Sequence, residues 1–268
     1  MIELLFQPVI KNSLIALSVI SFIFPLLGIF VIMRKISFLS EGIAHSSLLA
    51  LIFAYFFSFN YLLLGIVWAI IFTILIFYLE KKTNLPVDAL IIILFIISLS
   101  LGVILFSLSS FRSDLISILF GNILTINFSD LIIIIIFSFI IFLFYLKNFK
   151  DLLMISLNKE LAYAEGIKVD KKLLLFYIFL GITVILGIKI LGIIMVNALL
   201  ILPPSIAMLI SKSFKDLIVR GIILAEIISL AGFFLAYFLN FPIGPTIALL
   251  GGCIFLLTLL IKRTYVKI

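Results

Sequence analysis

Runs of apolar residues long enough to cross a bilayer, separated by short polar punctuation, repeat along the chain. They fall at 13–33, 36–58, 61–79, 89–108, 131–146, 173–188, 190–210, 221–239 and 243–261. Each is near the ~20 residues a helix needs to cross about 30 Å of hydrocarbon. The pattern predicts an all-α, polytopic membrane protein with about nine transmembrane helices. Eight or ten stay open, because spans five and six are short and the apolar segment 114–124 (DLISILFGNIL) has the length of a re-entrant or interfacial helix. No period-two alternation of barrel type is present. The first run lacks a basic n-region and feeds straight into a second apolar segment, so it is expected to stay in the mature chain rather than be cleaved as a signal peptide.

Composition points the same way. Of 268 residues, 66% are hydrophobic and 12% charged, with a mean hydropathy of +1.50, whereas a soluble domain carries roughly 25% charged residues. One cysteine, Cys253, lies in the last apolar run, which excludes an internal disulfide framework and a cysteine cluster for a metal. The net charge of +7 is read as topology rather than as a nucleic-acid footprint. The connections after spans one, three, five, seven and nine hold Arg34, Lys35, Lys81, Lys82, Lys147, Lys150, Lys159, Lys168, Lys171, Lys172, Lys212, Lys215, Arg220, Lys262, Arg263 and Lys267. The N-terminal tail and the even connections hold Lys11, Arg112 and Lys189. By the positive-inside rule the odd connections are cytoplasmic, so in a cell (inner or plasma) membrane the N-terminus lies outside and the C-terminus in the cytoplasm.

An ionisable side chain inside hydrocarbon costs about 2.5–3.5 kcal/mol on insertion scales and needs a reason. Glu41 and His45 lie in span two, Glu226 in span eight and Lys189 at the outer turn between spans six and seven. Glu41 and His45 are four apart in SEGIAHSS and share one helix face. Counted from Ile36, His45 falls about 14 Å into the membrane. A carboxylate and an imidazole there make a partial site for a divalent cation, with Gly42, Ser46 and Ser47 leaving room for water or a second helix. Two ligands are too few for tight structural binding, which suits a path. The plainer reading is a buried ion pair that fixes helix packing. Glu226 either faces the path or pairs with Lys189 or a backbone group, and Lys189 is expected to snorkel outward.

Residues 1–268 are read as a single transmembrane domain, and 148–172 as its longest cytoplasmic connection. Within it LNKELAYAEGI reads as a short helix capped by Asn158, with Glu160 in the first turn and Gly166 as its stop. Such a helix is a docking element or an interfacial helix resting on headgroups. In residues 185–210, Gly187 and Gly192 permit close helix contact, while Pro203 and Pro204 are expected to bend or break span seven. There is no G-x-x-x-x-G-K-[ST], H-E-x-x-H or G-x-S-x-G, so neither ATP hydrolysis nor familiar intramembrane hydrolysis is assigned to this chain.

With these stretches in hand, the chain resembles the ABC-3 family, the permease subunits of ABC transporters that import zinc, manganese or iron(II). Residues 31–50 (VIMRKISFLSEGIAHSSLLA) are similar to that family's arginine, serine, then D-A-x-x-H-A-x-x-P-G segment. LFGNIL at 119–124, NKELAYAEGI at 158–167, GIIMVNALLILPPSIA at 192–207 and NFPIG at 240–244 follow in order. The resemblance implies a homodimeric permease that docks through a coupling helix onto a separate ATPase subunit and receives metal from an extracytoplasmic metal-binding protein. It puts Glu41 in the place of the family's aspartate, His45 on its metal-handling histidine, and Asn158, Glu160, Ala164 and Gly166 on the ATPase-coupling element. Glu226 and Asn197 are further candidates for the metal path. Leu49 and Ala50 stand where the family has Pro-Gly, and Asn158 replaces an acidic residue. The chain itself carries no cofactor; the divalent metal is cargo.

Two other classes stay compatible with Glu41 and His45. A solitary secondary metal-ion carrier would show internal repeats and several intramembrane carboxylates. A membrane-embedded enzyme would need further His, Asp or Cys ligands in the core. An importer of an organic metal chelate is a variant within the resembled class, and a Glu/His pair suits a bare ion better.

Overall fold

The computed structural model describes residues 8–107, 126–192 and 196–265, and within them helices are joined by short turns with no strand. In chain order the helices are α1 (Pro8–Met33), α2 (Ser37–Phe57), α3 (Tyr61–Lys82), α4 (Val87–Ser107), α5 (Phe128–Leu157), α6 (Lys159–Ala164), α7 (Val169–Leu191), α8 (Val196–Ile210), α9 (Phe214–Leu239) and α10 (Ile243–Tyr265). Eight of these are long and apolar enough to cross a bilayer, and α8 is a shorter apolar helix of 15 residues. The polytopic all-α architecture follows directly from the apolar pattern. The segment 114–124, including LFGNIL, lies outside the described residues.

Three boundaries differ from the sequence expectation. Span five is not short: α5 runs 30 residues, continuing past Lys147, Lys150 and Asp151, so the first ten residues of the 148–172 connection are helical. Charge ended the apolar run there, but Lys and Asp sit comfortably on a helix that has left the hydrocarbon. Span six is not short either, because α7 runs the 23 residues Val169–Leu191. Span seven is interrupted where the sequence expected a continuous run: Gly192 (φ 83°) has a backbone conformation that L side chains rarely adopt, and α8 is described from Val196. Pro203 and Pro204 do not break α8; both lie inside it.

The imide nitrogen of Pro204 has no N–H to give the Leu200 carbonyl one turn earlier. That carbonyl lies against Gly28 of α1, where an added Cβ would be 2.0 Å from the oxygen and 3.0 Å from Pro204 Cγ. The freed acceptor therefore sits where a glycine lets another backbone approach, which is one way a membrane helix tolerates proline.

Helix ends are closed by the chain itself, as a bilayer requires. Asn60 accepts from Leu62 N–H at 2.9 Å, Ser213 from Asp216 N–H at 3.2 Å, and Asn127 and Asp130 form a reciprocal capping box. Between α1 and α2, Ile36 N–H donates to Val31 O at 3.1 Å and Lys35 N–H to Ile32 O at 3.0 Å, with Lys35 left-handed at φ 57°. That is a Schellman closure, which makes a stiff hairpin.

Helices α1, α2 and α7 have the most buried membrane segments and α4 and α10 the least. One group, α2, α3 and α4, packs on α7; the other, α8, α9 and α10, packs on α1. A continuous apolar core joins them, with Phe24, Phe30, Phe176 and Tyr177 fully buried. Leu49 and Ala50 lie inside an unbroken α2, so the absence of a Pro-Gly pair leaves a straight-through helix.

Candidate functional site

Glu41 and His45 lie one turn apart on α2, and His45 Nε2 is 3.0 Å from Glu41 Oε1. The other carboxylate oxygen, Oε2, accepts a hydrogen bond from Asn197 Nδ2, which arrives from the first turn of α8, 156 positions away in sequence. The break at Gly192 lies close by: α8 is described from Val196, and Asn197 is the next residue. Asn197 Oδ1 is buried and has no partner among the described residues.

Depth follows from the neighbours. Gly42 faces Phe72 of α3 and Ile91 of α4, and an added Cβ would stand 2.5 Å from Ile91 Cγ2. Ser46 accepts a hydrogen bond from Trp68 Nε1 at 3.2 Å, and the His45 ring lies 5.6 Å from that of Phe95. Trp68, Phe72 and Phe95 belong to the middle of α3 and α4, so the cluster sits well inside the membrane segments. The small residues Gly42, Ser46 and Ser47 admit these helices of the same chain, and both serines are buried. His45 is 26% exposed and Glu41 46% exposed, so the carboxylate opens onto the surface of the single chain.

The arrangement suits a divalent cation in chemical terms. Donors bonded at about 2.0–2.2 Å to one ion stand roughly 2.8–3.6 Å apart, from octahedral to tetrahedral angles, and the Nε2 to Oε1 separation is 3.0 Å. An ion between them would take the place of the shared proton, and rotation of the Asn197 amide would offer Oδ1 as a third donor. Among the described residues no group of three His, Cys, Asp or Glu could hold a metal, so what the cluster offers is incomplete, and water must fill the rest.

Other intramembrane charges fall elsewhere. Lys189 neither snorkels nor meets Glu226: its Nζ is 3.2 Å from Asp130 Oδ2 and 4.4 Å from the Tyr61 ring centroid, with the two side chains 11% and 7% exposed. Burial at the end of α7 leaves an ammonium group no water, and the first-turn aspartate of α5 supplies the counter-charge. Glu226 is half-buried on α9, and among the described residues it pairs with neither Lys189 nor the Glu41 cluster. Sequence reading missed Asp130 and Trp68. An Asn127–Asp130 box ahead of an apolar run and a tryptophan away from the interfacial belt were the available signals. Nothing in the sequence marked Phe95.

At the opposite end from Lys189, Asn158 Oδ1 accepts from the N–H groups of Glu160 and Leu161, both at 3.0 Å, and starts α6. Gly166 (φ 76°) ends it: Ile167 N–H reaches Ala162 O at 3.1 Å and Gly166 N–H reaches Tyr163 O at 3.0 Å. Ala162 is buried against the bundle, whereas Leu157, Leu161 and Tyr163 are exposed, and Glu160 and Ala164 share that open side. The Tyr163 hydroxyl donates to Asp170 at 2.8 Å, and that carboxylate pushes the phenol's pKa up from its ordinary value.

Comparison with known proteins places the whole chain. ScaB, the permease protein of a manganese import system in Streptococcus gordonii, is 32% identical over 260 residues, covering 96% of this chain and 94% of that one. ZnuB, a membrane protein of a high-affinity zinc uptake system in Haemophilus influenzae, is 30% identical, covering 97% and 98%. The solved structure of PsaBC from Streptococcus pneumoniae in complex with Fab superposes with a TM-score of 0.87 at 28% identity, covering 98% of this chain and 96% of that one. The profile of the ABC 3 transport family matches residues 7–262, and the chain belongs to that family.

Proposed function

We propose that this chain is the permease subunit of an ATP-driven importer of divalent transition metal ions, zinc, manganese or iron(II), and that the metal passes the Glu41–His45–Asn197 cluster. The observation that carries the reading is this cluster itself: a carboxylate, an imidazole and an amide with a free oxygen, from two helices, deep in a membrane protein. The names of ScaB and ZnuB, one for manganese and one for zinc, support the substrate class. A carboxylate 46% exposed at this depth does not face lipid, which supports a second copy of the chain covering that face and a path running between the two.

The chain has no phosphate-binding loop, so hydrolysis belongs to a separate ATPase subunit. Asn158, Glu160, Ala164 and Gly166 form its docking element. The exposed Leu161 and Tyr163 beyond the hydrocarbon suit a protein partner. An extracytoplasmic metal-binding protein delivers the ion. Arg34, Glu80, Lys159 and Lys172 gather at one end of the bundle and Lys189 at the other, which supports a cytoplasmic C-terminus and an N-terminus outside.

In this mechanism the hydrated ion exchanges waters for Glu41 and His45, both acceptable to zinc, manganese and iron(II), and for Asn197 Oδ1. Movement of α8 about Gly192 carries Asn197 away from Glu41 and lowers the number of donors, which releases the ion inward. The test is whole-cell zinc, manganese and iron content under metal limitation, in a strain lacking this chain and in the same strain carrying it. Loss of one metal on deletion, restored by the wild type, names the substrate. Unchanged levels of all three would sink the importer reading.

A further inference from the structure

Among the polar networks that the metal path does not use, one joins three distant segments of the described chain. At the α6 end of the bundle, the buried hydroxyl of Tyr177, in the middle of α7, joins two segments distant in sequence. It donates to Glu80 Oε2 at 3.1 Å and accepts from Arg34 Nη2 at 3.4 Å, spanning 97 and 143 positions. Glu80 belongs to the last turn of α3, and its other oxygen faces Lys159 Nζ, the first residue of α6, at 4.0 Å. A second tie runs from Tyr163 of α6 through Asp170 to Lys81, whose Nζ is 2.5 Å from Asp170. Arg34 stands in the closed α1–α2 turn, and Leu39 N–H donates to Ile36 O at 2.9 Å, so Arg34 and the first turn of α2 move together.

We infer that Tyr177 is the positioning residue that links the docking helix α6 to the metal cluster: displacement of α6 is carried by the end of α3 to the Tyr177 hydroxyl, from there to Arg34, and so to α2 and Glu41. This inference rests on the proposed function. The side-chain links each involve a charged group, and the last step, from Arg34 to α2, is the closed backbone turn; together they make the kind of contiguous path along which two sites are coupled. The ring of Tyr177 packs edge-on to Phe77, with centroids 6.2 Å apart, and also lies 5.7 Å from the Arg34 guanidinium, so the ring holds the fold and part of the Arg34 contact while the hydroxyl alone reaches Glu80. Among the described residues Arg34 Nε is buried without a partner, so the guanidinium is held through Tyr177 rather than by a cage of its own.

The experiment uses the assembled transporter, drawn from its own membranes through a tag on this chain so that its ATPase subunit comes with it, and sealed into vesicles. Uptake of zinc, manganese and iron(II) and ATP hydrolysis are measured together for wild type, Tyr177→Phe, Arg34→Met and the double variant. Tyr177→Phe keeps the ring, so hydrolysis persists while metal moved per ATP falls about tenfold, the scale of one charge-assisted hydrogen bond lost from a coupling path. Arg34→Met breaks the same joint and does the same, and the double variant is no worse than either single one. If Tyr177→Phe does not accumulate, the ratio for Arg34→Met decides alone. A wild-type ratio in either single variant, or additive losses in the double, overturns the inference. Absence of ATP-driven uptake by wild type of all three metals would instead overturn the proposed function.

Discussion

Gly28→Ala tests the crossing on which the placement of α8 depends. An ideal Cβ at residue 28 meets the Leu200 carbonyl oxygen at 2.0 Å and Pro204 Cγ at 3.0 Å. Carbon and oxygen settle at about 3.3 Å, so α1 and α8 must part by roughly 1.3 Å at this point. Both obstacles are stiff, one a backbone carbonyl and the other a proline ring, so no side chain can swing away. Parting by that much forfeits a quarter to a half of the dispersion in neighbouring contacts, and overpacking of this kind costs about 3 kcal/mol. Residue 200 is one turn from Asn197, so the same shift pulls the amide from Glu41 and lowers transport. Gly252, in α10, is the internal control, because nothing lies within 4 Å of its added Cβ. Unfolding by SDS in mixed micelles, beside metal uptake in cells, should show a large loss for Gly28→Ala and none for Gly252→Ala. Equal midpoints and uptake for the two variants would refute the described crossing.

Three further predictions follow from particular contacts. Asp130→Asn leaves Lys189 buried without its counter-charge and should destabilise by about 3 kcal/mol, whereas Asp130→Asn with Lys189→Met should recover most of it; SDS unfolding of both reads this, and equal losses would mean that the pair is not buried as described. Asn197→Leu removes the amide from the Glu41 cluster while keeping volume, so metal uptake should fall at least several-fold with assembly on the ATPase unchanged, as read by copurification; normal uptake would remove Asn197 from the path. Leu161→Asp places a charge on the exposed face of α6 and should lower copurification of the ATPase subunit without altering unfolding of this chain, whereas full recovery of the partner would exclude that face from docking.

Much of the fold was legible because a bilayer imposes its own length on every apolar run. The errors arose where local chemistry competed with that rule. Lys147, Lys150 and Asp151 ended the apolar run of span five but not the helix, since a helix satisfies its own backbone once it has left the lipid. Pro203 and Pro204 looked like the break in span seven, yet Gly192 made it, because a left-handed backbone interrupts a helix where a freed carbonyl against Gly28 does not.

The candidate site was half legible. Glu41 and His45 stood out through the cost of placing them in hydrocarbon and the four-residue spacing that brings them to 3.0 Å. That Asn197 closes on Glu41 depends on how α8 packs against α2 across 156 positions, which no local pattern encodes. The same holds for the Lys189 and Asp130 pair and for the three residues that meet at Tyr177.

The central claim is that Glu41 and His45 handle the metal in transit. It is tested most directly by ATP-driven uptake of the identified metal into vesicles holding the transporter with His45→Ala, beside wild type. The account predicts that uptake is abolished while the chain still assembles with its partner subunits and still supports ATP hydrolysis. Uptake at the wild-type rate by the assembled variant would contradict it and leave Glu41 and His45 as a pair that only packs helices.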